Sequence, residues 1–204
     1  MRCVWLSSFV IVVAVSVAAQ TSDPRKDCSE NANKLLQQAW AAQPMNVPTN
    51  NADPTKAESL YKRAINDSPK CRRAMGLLTA LFVRAEKHKQ ANEYNELLLK
   101  QYPDDPAGLN EKAYLISILK KDYPLALEIE MKLLDVPGFN KNGNVFYSIA
   151  RIYSLMNILD DSLRYLELAM AIDRGWGSKA NAQIADGFEN VRKDKRFWTL
   201  VKKK

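Results

Sequence analysis

Ala57-Glu58-Ser59-Leu60-Tyr61-Lys62-Arg63-Ala64, followed by Pro69, sets a pattern that runs through the chain. Two small residues stand seven positions apart and a helix breaker follows five positions later. The same frame returns as Ala91, Leu98 and Pro103, as Ala126, Leu133 and Gly138, and as Ser162, Ala169 and Arg174. The successive steps are 34, 35 and 36 residues, so the chain repeats a unit long enough for two short helices. Large apolar residues support helices: Ile149, Ile152, Tyr153 and Met156, then Leu163, Leu166 and Met170, recur at the three- and four-residue spacing of one helix face. Breakers separate the segments, with Pro69, the Pro103 and Pro106 pair, and Pro137-Gly138 with Gly143 closing successive units. Strand signals are absent from the sequence.

The fullest copy runs from Phe146 through Ile149-Ala150, Tyr153, Ser162, Leu166 and Ala169 to Asp173. Its order of large, small, aromatic and small residues resembles the tetratricopeptide repeat. Small side chains in mid-helix let the two helices of a hairpin approach, and large ones fill the gaps between neighbouring hairpins. The resemblance implies an all-α fold, a right-handed superhelical stack of about four hairpins over residues 29–69, 70–103, 104–138 and 143–175. The segment 176–204, with Trp176, Phe188, Val191, Phe197, Trp198 and Leu200, resembles the terminal segment of bacterial members, which covers the exposed side of the last hairpin. Copies depart from the pattern unequally. The first has a long polar loop, Pro44 to Thr55, where a short turn is usual. The third reads as one residue short in its inner turn, because Ala113 stands thirteen positions before Ala126.

In this family the first helices of successive hairpins line a concave groove. Carried over by position, that groove takes Gly76, Ala80 and Val83 from the second copy and Tyr147, Arg151 and Ser154 from the fourth. With the shifted register, the third contributes Asn110, Tyr114 and Ser117. Two tyrosines, one arginine and small polar groups suit a protein or peptide in extended form. The lysine and asparagine pattern that grips a C-terminal carboxylate in chaperone-binding members is not reproduced.

Upstream of the repeats, Arg2 precedes an apolar run from Val4 to Ala19 and then polar Gln20-Thr21-Ser22-Asp23. That is the layout of a signal peptide over residues 1–19, shorter than the roughly 20 apolar residues of a spanning helix. An uncleaved anchor is the alternative. The expected location is therefore outside the cytoplasm, in a periplasm or the extracellular space. Cys28 and Cys71 flank the first hairpin, whose antiparallel helices bring those ends together; a disulfide between them, or two free thiols, are both open.

The net charge of +7 is concentrated at one end. Arg192 to Lys204 carries seven bases and one acid, and apart from Arg2 the remainder balances. A basic tail does not make a nucleic-acid surface, so no nucleic-acid partner is expected, and membrane contact would be through the tail alone. Chemistry is sparse: one histidine, His88, falls in what reads as a solvated turn, and no phosphate loop, nucleophile elbow or paired-histidine helix occurs. Asp104-Asp105 and Asp160-Asp161 read as helix-start acids rather than a catalytic pair. The expectation is a non-enzymatic scaffold without cofactor or metal; the alternatives are a surface adaptor that uses the tail on anionic lipid or polymer, and a hydrolase for which no residue nominates a substrate.

Overall fold

The computed structural model describes residues 26–43, 52–181 and 187–202; the leader, most of the first polar loop, residues 182–186 and the last two lysines lie outside them. Eight helices form four antiparallel hairpins: α1 (Glu30–Ala42) with α2 (Pro54–Asp67), α3 (Arg72–Arg84) with α4 (His88–Gln101), α5 (Pro106–Leu119) with α6 (Tyr123–Leu133), and α7 (Gly143–Leu155) with α8 (Leu159–Ile172). Each odd helix packs most extensively on its own partner, and each even helix meets the next odd one. The chain ends in α9 (Gly175–Asn181), a short 3-10 turn at Val191–Lys193 and α10 (Lys195–Lys202). No strand occurs among the described residues.

Local chemistry sets the helix starts. Asp53 and Asp105 cap the next helix through their carboxylates and are followed by Pro54 and Pro106 in its first turn, where proline sacrifices no hydrogen bond. Pro54 and Thr55 thus belong to α2 rather than to the loop before it. Asp160 and Asp161 fall in the first turn of α8, where the helix dipole favours acids. The small residues of the repeat, Ala57, Ala64, Ala91, Ala126, Ser162 and Ala169, are all fully buried, which is what close helix approach requires. Ser162 keeps its place by donating to the Ala150 carbonyl at 2.8 Å, so the hydroxyl is satisfied inside the α7–α8 contact.

Polar bonds fasten the N-terminal end. Cys28 and Cys71 are joined, with their sulfurs 2.07 Å apart. Around that bond, Ser68 Oγ donates to the Asp27 carbonyl at 3.2 Å and Asn31 Nδ2 to Asp67 at 2.7 Å. Arg72 ties three hairpins: its guanidinium lies 3.6 Å from Asp27, 3.4 Å from Asp105 and 5.5 Å over the Tyr102 ring. The core divides accordingly. One cluster spans the first two hairpins from Ala32 to Leu98 and reaches Leu115; another joins the fourth hairpin to Phe188, Val191 and Phe197; a small one, Ala113, Ile116, Ala126 and Ile152, lies between.

Candidate partner-binding groove

The turns inside the hairpins fix the register. Ala85–Lys87, Lys120–Asp122 and Met156–Ile158 are all three residues long, and the middle residue of each has a left-handed backbone: Glu86 at φ 56°, Lys121 at 55° and Asn157 at 59°. The third inner turn is therefore not short, and the frame passes from the second copy to the third by a uniform 35 residues. Counted so, Gly76 corresponds to Glu111, while Met75, Leu78 and Phe82 correspond to Asn110, Ala113 and Ser117. Asn110 and Ser117 are thus at core positions, and the one-residue shift expected for this copy is corrected.

Their burial follows. Asn110 Nδ2 donates to both carboxylate oxygens of Glu130, at 2.8 and 3.1 Å, and its Oδ1 accepts from Asn144 at 2.6 Å. Ser117 accepts from Arg151 and donates to the Tyr114 carbonyl at 2.6 Å. Tyr114 is half-buried, with the Arg151 guanidinium 4.7 Å over its ring and the His88 ring edge-on at 5.9 Å. His88 opens α4 against that ring instead of sitting in a solvated turn. Glu130, on α6, is fully buried, and the loss of water pushes its carboxyl up to about 8 despite Asn110, Arg151 and Ser148 pulling it down.

In the fourth hairpin Tyr147, Arg151 and Ser154 do share one face of α7, but the chain itself covers it. The Phe188 and Trp176 rings each lie 5.0 Å from the Tyr147 ring in tilted contact, and burial pushes that phenol up to about 12. Asn190 Nδ2 donates to the Ser154 carbonyl at 2.9 Å, and the Val191 N–H to Ser154 Oγ at 3.4 Å. Gly187, at φ +100°, lets the backbone run so close to Arg151 that a Cβ there would lie 2.8 Å from Arg151 Cγ. Trp176, Phe188, Val191 and Phe197 are the covering residues; Trp198 stays half-exposed, its Nε1 donating to the Arg192 carbonyl at 2.8 Å. Basic groups of the tail are also engaged, Arg196 with Asp160 at 2.7 Å and Asp194 at 2.6 Å, and Arg192 Nε with the Ala180 carbonyl at 3.1 Å.

The concave face is open one hairpin earlier. A cleft of about 430 Å³ runs between α3 and α5, walled by Gly76, Leu77 and Ala80 on one side and Pro106, Ala107 and Glu111 on the other. Buried Thr79, Asn95 and Leu98 also line it, as do Phe139, Arg72 and Arg73. Of the groove residues expected from sequence, Gly76 and Ala80 line it, and Val83 is partly buried on the same helix. Asn95 and Phe139 were not expected there. Asn95 had a legible signal: it is four residues after Ala91, the position where the other copies carry Tyr61, Glu130 and Leu166. All four are buried. Among the described residues no group of three His, Cys, Asp or Glu is arranged to hold a metal ion.

The architecture is an all-α stack of helical hairpins of tetratricopeptide-like form. It is shared with solved structures of MamA: the MamA RS-1 ArsTM double mutant is 16% identical at a TM-score of 0.59, with 85% of this chain and 94% of that chain covered. MamA 41-end from Desulfovibrio magneticus RS-1 is 12% identical, with the same TM-score, 0.59, and the same coverage, 85% and 94%. At those identities the likeness is one of fold. No protein-family model and no curated protein matches the chain.

Proposed function

We propose that this chain is an exported, non-catalytic scaffold that holds a partner protein on its concave face, at the cleft between α3 and α5. The observation that carries this reading is the cleft itself. It is largely apolar, with Gly76, Ala80 and Ala107 leaving room between the two helices, its size lies within the usual range for ligand sites, and it opens where a stack of hairpins offers its concave surface. Export is supported by the leader-like layout of residues 1–19 and by the Cys28–Cys71 bond, which suits an oxidising compartment. The tail is a weaker basis for function, since Arg192 and Arg196 are already engaged within the chain.

A photo-crosslinking amino acid placed at Ala80, in the cleft, or at Leu168, on the outer face of α8, tests the reading in cells. The expected result is a discrete adduct from Ala80 that is missing from Leu168 and lost when Gly76→Leu fills the cleft. Equal adducts from both positions, or none from Ala80, contradict it. Mass spectrometry of the same protein checks export: a mature N-terminus at Gln20 and no free thiol at Cys28 or Cys71 are expected.

A further inference from the structure

A second groove, of about 380 Å³, lies between α4 and α5. Leu99, Leu115, Ile116 and Leu119 form its apolar part, and Lys100, Lys112 and Lys120 are exposed along it. Leu115 and Ile116 are buried, whereas Leu119 is left 42% exposed beside Lys120. The repeat does not demand these lysines. In its frame their counterparts are Asn66, Leu77 and Ala85 where the first two hairpins meet, and Asp135, Ser148 and Met156 where the last two meet.

Nor does the chain use them. Lys34, Lys62 and Lys132 each pair with a glutamate four residues earlier. Lys100 has Glu96 at that spacing, but Glu96 accepts from Asn92 Nδ2 at 2.8 Å instead. None of the three groove lysines makes an ion pair among the described residues. Glu96 is the one carboxylate on the groove, which therefore carries three bases against one acid. Like charges gathered along an apolar strip repel one another in the chain alone and attract an anionic partner laid over them.

Spacing selects the partner. Gly108, near the start of α5, approaches Leu99, so Lys100 stands at that end of the groove, Lys120 at the other and Lys112 between them. Lys112 and Lys120 alone are eight residues apart, about 12 Å along the axis of α5. One anionic headgroup cannot meet all three bases, whereas an amphipathic helix can, with an apolar stripe and carboxylates two turns apart beside it. We propose that this groove is a second docking surface, which takes an acidic amphipathic helix of a partner protein. The apolar stripe of that helix rests on Leu99, Ile116 and Leu119, and its carboxylates lie beside Lys100, Lys112 and Lys120. The surface is independent of the cleft between α3 and α5.

The probes are fluorescent peptides of about 18 residues, long enough to hold a helix. Leu stands at every third or fourth position, Glu, Gln or Lys flanks that stripe, and each peptide is titrated by anisotropy against the full chain. The Glu peptide is expected to bind, the Gln peptide to bind about tenfold more weakly and the Lys peptide not at all. Reversing Lys112 and Lys120 to Glu together is expected to exchange the preference between the Glu and Lys peptides. Leu119→Ser should weaken the Glu peptide about tenfold. All three positions are exposed, so circular dichroism and Tm should stay those of the native chain. Gly76→Leu, in the cleft, should leave binding unchanged. The proposal is overturned if no peptide of the set binds saturably, if a peptide with the stripe scrambled binds equally well, or if charge reversal leaves the preference as it was. It is also overturned if a proline at the centre of the Glu peptide has no effect, which excludes a helical ligand, or if Gly76→Leu removes binding, which places the peptide in the cleft. Polyphosphate or anionic lipid vesicles that bind in a Lys112-dependent manner while every peptide fails overturn it as well. Peptide binding that persists while Ala80 gives no crosslink keeps this surface and removes the cleft reading; a crosslink from Ala80 with no peptide bound does the reverse.

Discussion

The second and fourth hairpins are built on one plan, yet one presents an open concave surface and the other a closed one. On α3 the groove positions are Gly76 and Ala80, and none of the described residues is folded back over them; on α7 they are Tyr147 and Arg151, where Phe188 lies against the first and Gly187 against the second. Side-chain size decides the difference. A large ring and a guanidinium offer enough apolar and polar surface to hold the returning chain, and the last hairpin of a stack needs cover that an interior hairpin receives from its neighbour. The comparison teaches that concave position alone does not make a binding surface; it must also be free of the molecule's own segments.

The largest effect is expected from releasing that cover. Phe188 is fully buried against Tyr147, so Phe188→Ala should destabilise the C-terminal half by about 3–5 kcal/mol, the usual cost of emptying a buried aromatic site. Hydrogen exchange should rise in α7 and α8 and remain unchanged in α1 to α3. Next is the opposite end: replacing Cys28 and Cys71 by Ser should cost about 2–4 kcal/mol in urea unfolding. Its exchange signature should be the mirror image, confined to α1 and α2.

A third prediction concerns the joint between the two regions. Glu130 holds its proton up to about pH 8 when folded but would release it near 4.5 when unfolded. The folded state therefore binds the extra proton between those values, and stability should fall as pH rises through that window, by at most roughly 1.4 kcal/mol per pH unit, then level off above it. Glu130→Gln should flatten the slope, as read by urea midpoints taken across the pH range. The groups facing Glu130 from α5 and α7 are Asn110, Glu111, Ser148 and Arg151, and none is replaced in that variant. The smallest effect sharpens the cleft side: Gly76→Ala should raise stability by up to about 1 kcal/mol, because helix propensity improves and the methyl group meets nothing closer than 4.0 Å.

Much of the fold was legible because the repeat is written in residues whose roles are steric. Ala57, Ala91, Ala126 and Ser162 mark the tight helix crossings in sequence and are fully buried in the structure. The groove was less legible, for two physical reasons. In the third copy Ala113 suggested a shifted frame, and only the left-handed residues Glu86, Lys121 and Asn157 reveal that the turns are alike. That correction moves Asn110 and Ser117 from the surface to the core, where Asn110 meets the equally unexpected Glu130 and Ser117 meets Arg151. In the fourth copy the groove residues were placed on the right helix face, but whether a face is covered depends on where a distant segment returns, and Phe188 carries no mark in the sequence that assigns it to Tyr147 rather than to the outer side of α8.

Hydroxyl-radical footprinting of the native chain, read by mass spectrometry, tests the contrast between the two faces most directly. Strong labelling of Leu77 and Phe139 in the cleft is expected, with protection of Tyr147, Phe188 and Phe197 beneath the cover. Tyr147 labelled as heavily as Leu77, or Leu77 and Phe139 as protected as Phe188, would contradict it.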